Sequence, residues 1–144
     1  MRICFLSSMH PSTDKRVFDK EARALADANH DVVHLAPVGD VEVIGSRMQD
    51  GIEIVSYPPA LGIKGRLLGL VRLYQMAKKI DAQVYHCNEV DSWMVGVVLK
   101  ILRGRICIFD VHEHYPEEFA EKRIPNWARP IVRFLIASLM RFLS

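Results

Sequence analysis

Nine consecutive residues, Asp110 to Glu118 (DVHEHYPEE), hold two imidazoles, four carboxylates and a phenol. Groups of that kind can ligate a metal, move protons or cap a turn. In an extended segment His112 and His114 fall on one side, as a ligand pair would. Yet H-E-x-x-H is absent and no second ligand pair has a familiar zinc spacing, so no metal is expected. A hydrolase elbow, G-x-S-x-G, is missing as well. What remains is His112 just beyond an apolar run. It is placed to position a hydroxyl or stabilise charge, or simply to cap the turn that follows.

Two other polar stretches invite the same question. In YHCNEVDSW, His86, Asn88, Glu89 and Asp91 follow an apolar run. Asn88 and Glu89 suit hydroxyl binding, His86 can be a satisfied sheet histidine, and Asp91 or Ser92 can cap the next helix. The stretch SSMHPSTDKRVFD contains no glycine, whereas a dinucleotide pyrophosphate needs G-x-G-x-x-G after the first strand. GIKGRLLG at 62–69 has the wrong spacing and place, so no dinucleotide cofactor is expected. Ser12, Thr13 or Asp14 can cap a helix there, and Asp14 favours hydroxyls over phosphate. Glu21 falls among Val17, Phe18 and Leu25 on a helical wheel. A carboxylate on that side needs a partner, either backbone amides or an arginine that fixes the first loop, or else a ligand.

The elements that carry these residues follow from period and punctuation. Apolar runs without alternation lie at 2–7, 31–36, within 41–56, at 82–87 and at 105–111. They read as strands buried on both faces. Between them, 14–28 reads as a helix with Val17, Phe18, Ala22, Leu25 and Ala26 inward, ended by Asn29 in a left-handed conformation. Residues 64–80 read as a helix with Leu67, Leu70, Val71, Tyr74 and Ala77 inward, and 91–102 as an apolar helix. A short helix after Pro116 and a last one over 126–143 complete the chain. Alternating strands and helices predict an α/β fold, a Rossmann-like parallel sheet flanked by helices. Ligands then sit at the carboxyl ends of the strands, which selects the loops 7–14, 36–41, 86–92 and 110–117.

Composition narrows the field. The chain has 144 residues, enough for one domain, and is half hydrophobic and a quarter charged, which excludes disorder. A net charge of +2 gives no global field for nucleic acid. Cys4, Cys87 and Cys107 form no CxxC pair and read as buried free thiols in a reducing compartment. No signal peptide or spanning segment is apparent, so a cytoplasmic protein is expected. On the last helix Arg129, Arg133 and Arg141 lie within about 120° of one another on the wheel, beside an apolar remainder. That helix either packs on the sheet or a second domain, or touches anionic lipid, giving a peripheral position on the inner membrane face.

HPSTDKRVFDKEARALADANHDVVHLAP and DAQVYHCNEVDSWMVGVVLKILRGRICIFDVHEHYPEEF together resemble the N-terminal domain of GT-B fold glycosyltransferases. The similarity is to the retaining family 4 group, and it covers most of residues 1–123. The matching positions are Asp14, Arg16, Val17, Glu21, Ala22 and Leu25, then Tyr85, His86 and Asn88, then Asp110, His112 and Glu113. The resemblance implies transfer of a sugar from a nucleotide-sugar to an acceptor hydroxyl, as in polysaccharide biosynthesis, without metal. It implies His112 beside the transferred sugar as the catalytic residue, and Asp14 near a sugar or lipid-linked acceptor. Arg16, His86, Asn88, Glu89 and Glu113 are the further candidate binding residues. Residues 1–123 would form the acceptor domain, with 124–144 a basic helix leading toward a donor-binding domain or partner subunit. The family's second domain supplies the nucleotide-binding Arg-Lys pair and E-x7-E, so these 144 residues are expected not to catalyse transfer alone. A non-enzymatic module that recruits a partner or a membrane is the alternative.

Overall fold

The computed structural model describes residues 1–39, 43–60 and 62–110, with the single positions Pro130, Phe134 and Ser138. Two compact units divide the chain, Met1–Asp110 and Val111–Ser144, and the expected boundary at 123/124 falls inside the second. His112, Glu113, Arg129, Arg133 and Arg141, with the helices expected after Pro116 and over 126–143, lie outside the described residues.

In the first unit the order is β1 (Arg2–Leu6), α1, β2 (Asp31–Pro37), β3 (Gly45–Gln49), β4 (Ile52–Tyr57), α2 (Gly62–Ile80), β5 (Val84–Cys87), α3 (Val90–Arg103) and β6 (Ile106–Phe109). Helix α1 opens as a π-helical segment, Arg16–Ala22, and continues as α-helix over Arg23–Asp27. Asn29 follows at φ 61°, the left-handed residue expected there. The six strands form one sheet in the order β3-β4-β2-β1-β5-β6, parallel throughout except at β3–β4. This is the Rossmann-like sheet that the alternation of runs predicts. The extended excursion adds an edge strand, β3. It folds back on β4 through Asp50-Gly51, at φ 50° and 78°, the positive pair a tight hairpin requires.

Each buried strand serves two layers. Ile3, Phe5, Val32, Ile52, Ile54 and Val84 meet Val17, Phe18 and Ala22 of α1. On the opposite face α2 and α3 pack on each other and on β1, with α3 also on β5 and β6, burying Leu73, Ala77 and Leu99. Burial of each of these leucines is worth about 1.5–3 kcal/mol. Tyr85 ties this layer to the sheet. Its hydroxyl accepts from the Ala82 N–H (3.0 Å) and donates to the Ala77 carbonyl (2.9 Å), and burial pushes its ionisation up to about 12.

Two expectations about packing are corrected. Leu67 and Val71, read as inward, are 63% and 55% exposed, while Leu73 and Ala77 are buried. Helix α2 carries apolar residues on nearly every side, so periodicity does not set its rotation. Close approach does: a Cβ on Gly69 would lie 3.1 Å from the Ala60 Cβ. The second correction concerns the thiols. All three are free, but Cys107 is only half-buried, because β6, the last strand of the sheet among the described residues, alternates in exposure.

Gly96 of α3 is where helix and sheet come closest. A Cβ there would stand 2.6 Å from both the Cys87 and the Cys107 sulfur. Those sulfurs belong to paired strands and cannot both retreat. Gly96→Ala is expected to cost about 1–3 kcal/mol by overpacking, read as a lower urea midpoint with an unchanged slope.

Candidate functional site

Chemistry-bearing side chains collect at the carboxyl edge of the sheet, where loop 7–14, the β5–α3 junction and the end of β6 meet. Glu89 organises the first two. It is 2% exposed, and Oε2 accepts from the Ser8 N–H (3.0 Å) while Oε1 accepts from the His10 N–H (3.3 Å). Glu89 is also the N-cap of α3, with Ser92 Oγ accepting from its backbone N–H (3.1 Å) and lying 3.0 Å from Oε2. The cap expected at Asp91 or Ser92 therefore lies earlier, two residues before Asp91 and three before Ser92. Asp91 instead pairs with Arg66 at 2.7 Å. A buried carboxylate at a helix N-terminus is stabilised by the free amides and by the dipole. It also pins a loop that has no secondary structure of its own.

Asn88 belongs to the same frame. Its Nδ2 donates to Ser7 Oγ (3.2 Å), its Oδ1 lies 3.2 Å from His86 Nδ1, and Ser7 Oγ lies 3.2 Å from His34 Nε2. The polar groups of Asn88 and Glu89 are thus engaged inside the protein, where they hold loops in place. Asp14 caps α1: its Oδ1 accepts from the Arg16 N–H (3.0 Å) and the Val17 N–H (3.2 Å). Its other oxygen faces His10 Nδ1 at 3.7 Å.

The residues that remain partly open form a charged cluster. Arg16 Nη1 lies 2.8 Å from Asp110 Oδ2 and 3.2 Å from Glu21 Oε1, so one nitrogen bridges two carboxylates. Glu21 Oε2 faces His86 Nδ1 at 3.9 Å, and the His86 ring rests on Phe5 with centroids 4.8 Å apart. The arginine partner expected for Glu21 is therefore present. Its geometry depends on the π-helical turn. In an α-helix residues five apart diverge by about 140°, whereas i→i+5 bonding draws them back together. Glu21, read as a residue needing a partner, and Asp110 are the members that the candidate binding set left out; Asp110 is the one not weighed. Its signal is an acid that stops an apolar run at a strand's carboxyl end.

Glu21, His86 and Asp110 place ligand-type atoms within 4.8 Å of one another. That donor set is of the kind that holds a divalent cation. Arg16 stands between the two carboxylates and already supplies the positive charge, so the geometry favours an ion-paired cluster.

Beside this edge lies a cavity of about 260 Å³. Ser8 and Met9 of the first loop, Pro37 at the end of β2, Tyr57 at the end of β4 and Pro59 just beyond it form one side; Arg66, Gly69, Leu70 and Leu73 of α2 form the other. Its lining is mainly apolar, with the Arg66–Asp91 pair as the polar element. The Tyr57 hydroxyl donates to the Ser7 carbonyl at 2.6 Å, and burial raises its ionisation. Sequence reasoning missed this cavity, because its walls come from five separate segments.

A doubly wound α/β sheet with a pocket and a polar cluster at its carboxyl edge defines a ligand-binding domain of the Rossmann-like class. The family is more specific. Residues 15–144 match the Glycosyl transferase 4-like domain, and the chain belongs to that family. Placement as the N-terminal part of a GT-B fold is consistent with that match. The search of curated proteins finds no match.

Two predictions test the edge. Glu89→Ala leaves the Ser8 and His10 amides without their acceptor. It is expected to cost about 2–4 kcal/mol and to speed amide exchange across residues 8–14. The second concerns Glu21, whose carboxyl is raised above 4.5 by burial first and by the Asp110 charge next. A raised acid binds more protons folded than unfolded, so its contribution is fully present below about 4.5 and is lost as pH climbs through the folded value. Glu21→Gln should therefore gain stability relative to the parent chain between pH 4 and 7, measured by urea midpoints. A difference that stays flat with pH contradicts this.

Proposed function

We propose that the chain is the acceptor-binding part of a glycosyltransferase that moves a sugar from a nucleotide-sugar to an acceptor hydroxyl. The observation that carries the reading is the mainly apolar pocket at the carboxyl ends of β2 and β4, with Arg66 and Asp91 as its polar element. A pocket of about 260 Å³ falls just under the roughly 300–1,000 Å³ of complete small-molecule sites, as one wall of a cleft would. Apolar lining suits the face of a sugar ring or a lipid-linked portion of an acceptor, and the ion pair suits its hydroxyls. Loop 7–14 has no glycine to let backbone approach a pyrophosphate. In this reading the donor nucleotide is held by a further domain or a partner subunit.

Arg16, Glu21, His86 and Asp110 form the neighbouring wall. We assign to His112, two residues beyond Asp110 in sequence, the role of stabilising charge on the transferred sugar, and to Glu113 and Asp14 contacts with substrate hydroxyls. The reading requires no metal or organic cofactor, and its setting is cytoplasmic.

The expected outcome for the purified 144 residues is acceptor binding without sustained consumption of nucleotide-sugar. Multiple turnovers by this chain alone would overturn the division of labour. In a complemented two-domain enzyme, His112→Ala is expected to lower kcat by about 10²-fold or more, and an unchanged rate would reduce His112 to a turn cap.

A further inference from the structure

Cys87 and Cys107 stand on neighbouring parallel strands and face the same helix. The register pairs Cys87 with Phe109 and Tyr85 with Cys107, so the two cysteines are diagonal neighbours on one side of the sheet. Their sulfurs are 3.9 Å apart. Gly96 of α3 closes over both, since a Cβ there would lie 2.6 Å from each sulfur. A free cysteine packs as a small apolar group, and what sets two touching thiols apart from such groups is their reactivity.

The two thiols differ in their surroundings. Cys87 is fully buried, whereas Cys107 is half-buried. The hydrogen bond between them favours a Cys107 thiolate that accepts and a Cys87 thiol that donates, so it lowers the ionisation of Cys107 and raises that of Cys87. An oxidant therefore meets the Cys107 sulfur first, and Cys87 is in place to resolve the product. Cys4 is the contrast. It is fully buried in β1, its thiol is directed at the Phe5 carbonyl, and burial pushes its ionisation up.

We propose that Cys87 and Cys107 form a reversible disulfide when the protein meets a hydroperoxide, and that the bond draws the end of β6 away from the charged cluster. The Cys107 sulfur attacks one peroxide oxygen, the O–O bond breaks and water leaves, giving a sulfenic acid. The Cys87 sulfur then displaces that oxygen as a second water, and the S–S bond forms. Two thiol protons end in water, and two electrons pass from sulfur to the peroxide.

The bond has a mechanical consequence. Disulfide sulfurs stand at about 2.05 Å, so this pair closes by roughly 1.9 Å. Strand β5 is held by β1 on its other side, whereas β6 pairs with β5 alone among the described residues, so β6 gives way. Asp110 lies three residues beyond Cys107. Its N–H donates to the Cys87 carbonyl (3.0 Å), and its Oδ2 lies 2.8 Å from Arg16 Nη1. Movement of β6 disturbs both contacts, while the Arg16–Glu21 pair lies within α1 and stays. A disulfide that must pull two strands together is more readily reduced than a relaxed one, and such labile bonds are the transient, sensing kind. The bond and the displacement stand without the acceptor reading; only an effect on sugar transfer rests on it.

Treatment of the purified chain with hydrogen peroxide tests the proposal without any sugar. Free thiols, counted after unfolding, should fall from three to one. The chain should lose the mass of two hydrogen atoms, and peptide mapping should join Cys87 to Cys107 and leave Cys4 free. Dithiothreitol should restore all three. Amide exchange at Asp110 should speed by about tenfold or more in the oxidised chain. A Cys107→Ser variant whose circular dichroism matches the parent's should lose no hydrogen and show no faster exchange after peroxide. Four results overturn the proposal: three surviving thiols while free glutathione in the same tube oxidises; oxygen added to Cys107 without a bond to Cys87; chains joined to one another instead of within themselves; or an internal disulfide that leaves exchange at Asp110 unchanged.

Discussion

A carboxylate removed from water must be fully engaged or it will unfold its surroundings. Glu89 is engaged on every side: the first loop donates two backbone amides, and α3 begins on it. The rest of the carboxyl edge depends on this. The acid fixes loop 7–14 against the β5–α3 junction, the loop carries Asp14, and Asp14 starts the helix that delivers Arg16 and Glu21. Asn88, next to Glu89, extends the frame through Ser7 to His34 and back to His86. A glycine-free loop is thereby held in one conformation by hydrogen bonds, with no phosphate-binding backbone in it.

The open charges beside this frame obey a different balance. Arg16 lies between two acids, and at separations of 2.8 and 3.2 Å its single charge lowers the repulsion between them without abolishing it. Burial first and this residual repulsion next keep Glu21 reluctant to ionise, and its other oxygen faces His86 Nδ1 at 3.9 Å. The π-helical turn is what makes this possible. It places residues five apart on one side of α1 and keeps Val17, Phe18 and Ala22 in the core. An α-helix of the same sequence would separate the ion pair or expose part of the apolar face.

Helix α2 joins two solvents. Its inner side completes an apolar pocket, and its outer side carries leucines and lysines in water. The glycines account for the asymmetry. Gly69 allows close packing on Ala60, so the helix settles glycine-side down and the larger Leu67, Leu68 and Val71 are left outside. Close packing in the interior and exposed leucines outside are thus two results of one rotation.

Local sequence determined the order and type of the elements. Runs such as RICFL and VYHC are apolar without alternation, which only a strand buried on both faces tolerates, and residues such as Asn29 and Gly104 end helices through conformations available within a few bonds. That Glu21 needs a partner was legible from its place among Val17, Phe18 and Leu25, but that Arg16 reaches it from five residues away depends on the π-helical turn. Tertiary structure decided the rest. Arg16 reaches Asp110 across 94 residues and Ser8 reaches Glu89 across 81, and no periodicity encodes such pairs. The inward face of α2, the antiparallel return of β3 and the burial of Asn88 and Glu89 were settled similarly, by which surfaces had to meet. Spacing along a chain sets the local backbone geometry, while packing and the desolvation of charge, which are properties of the assembled fold, select the side chains left to face a ligand.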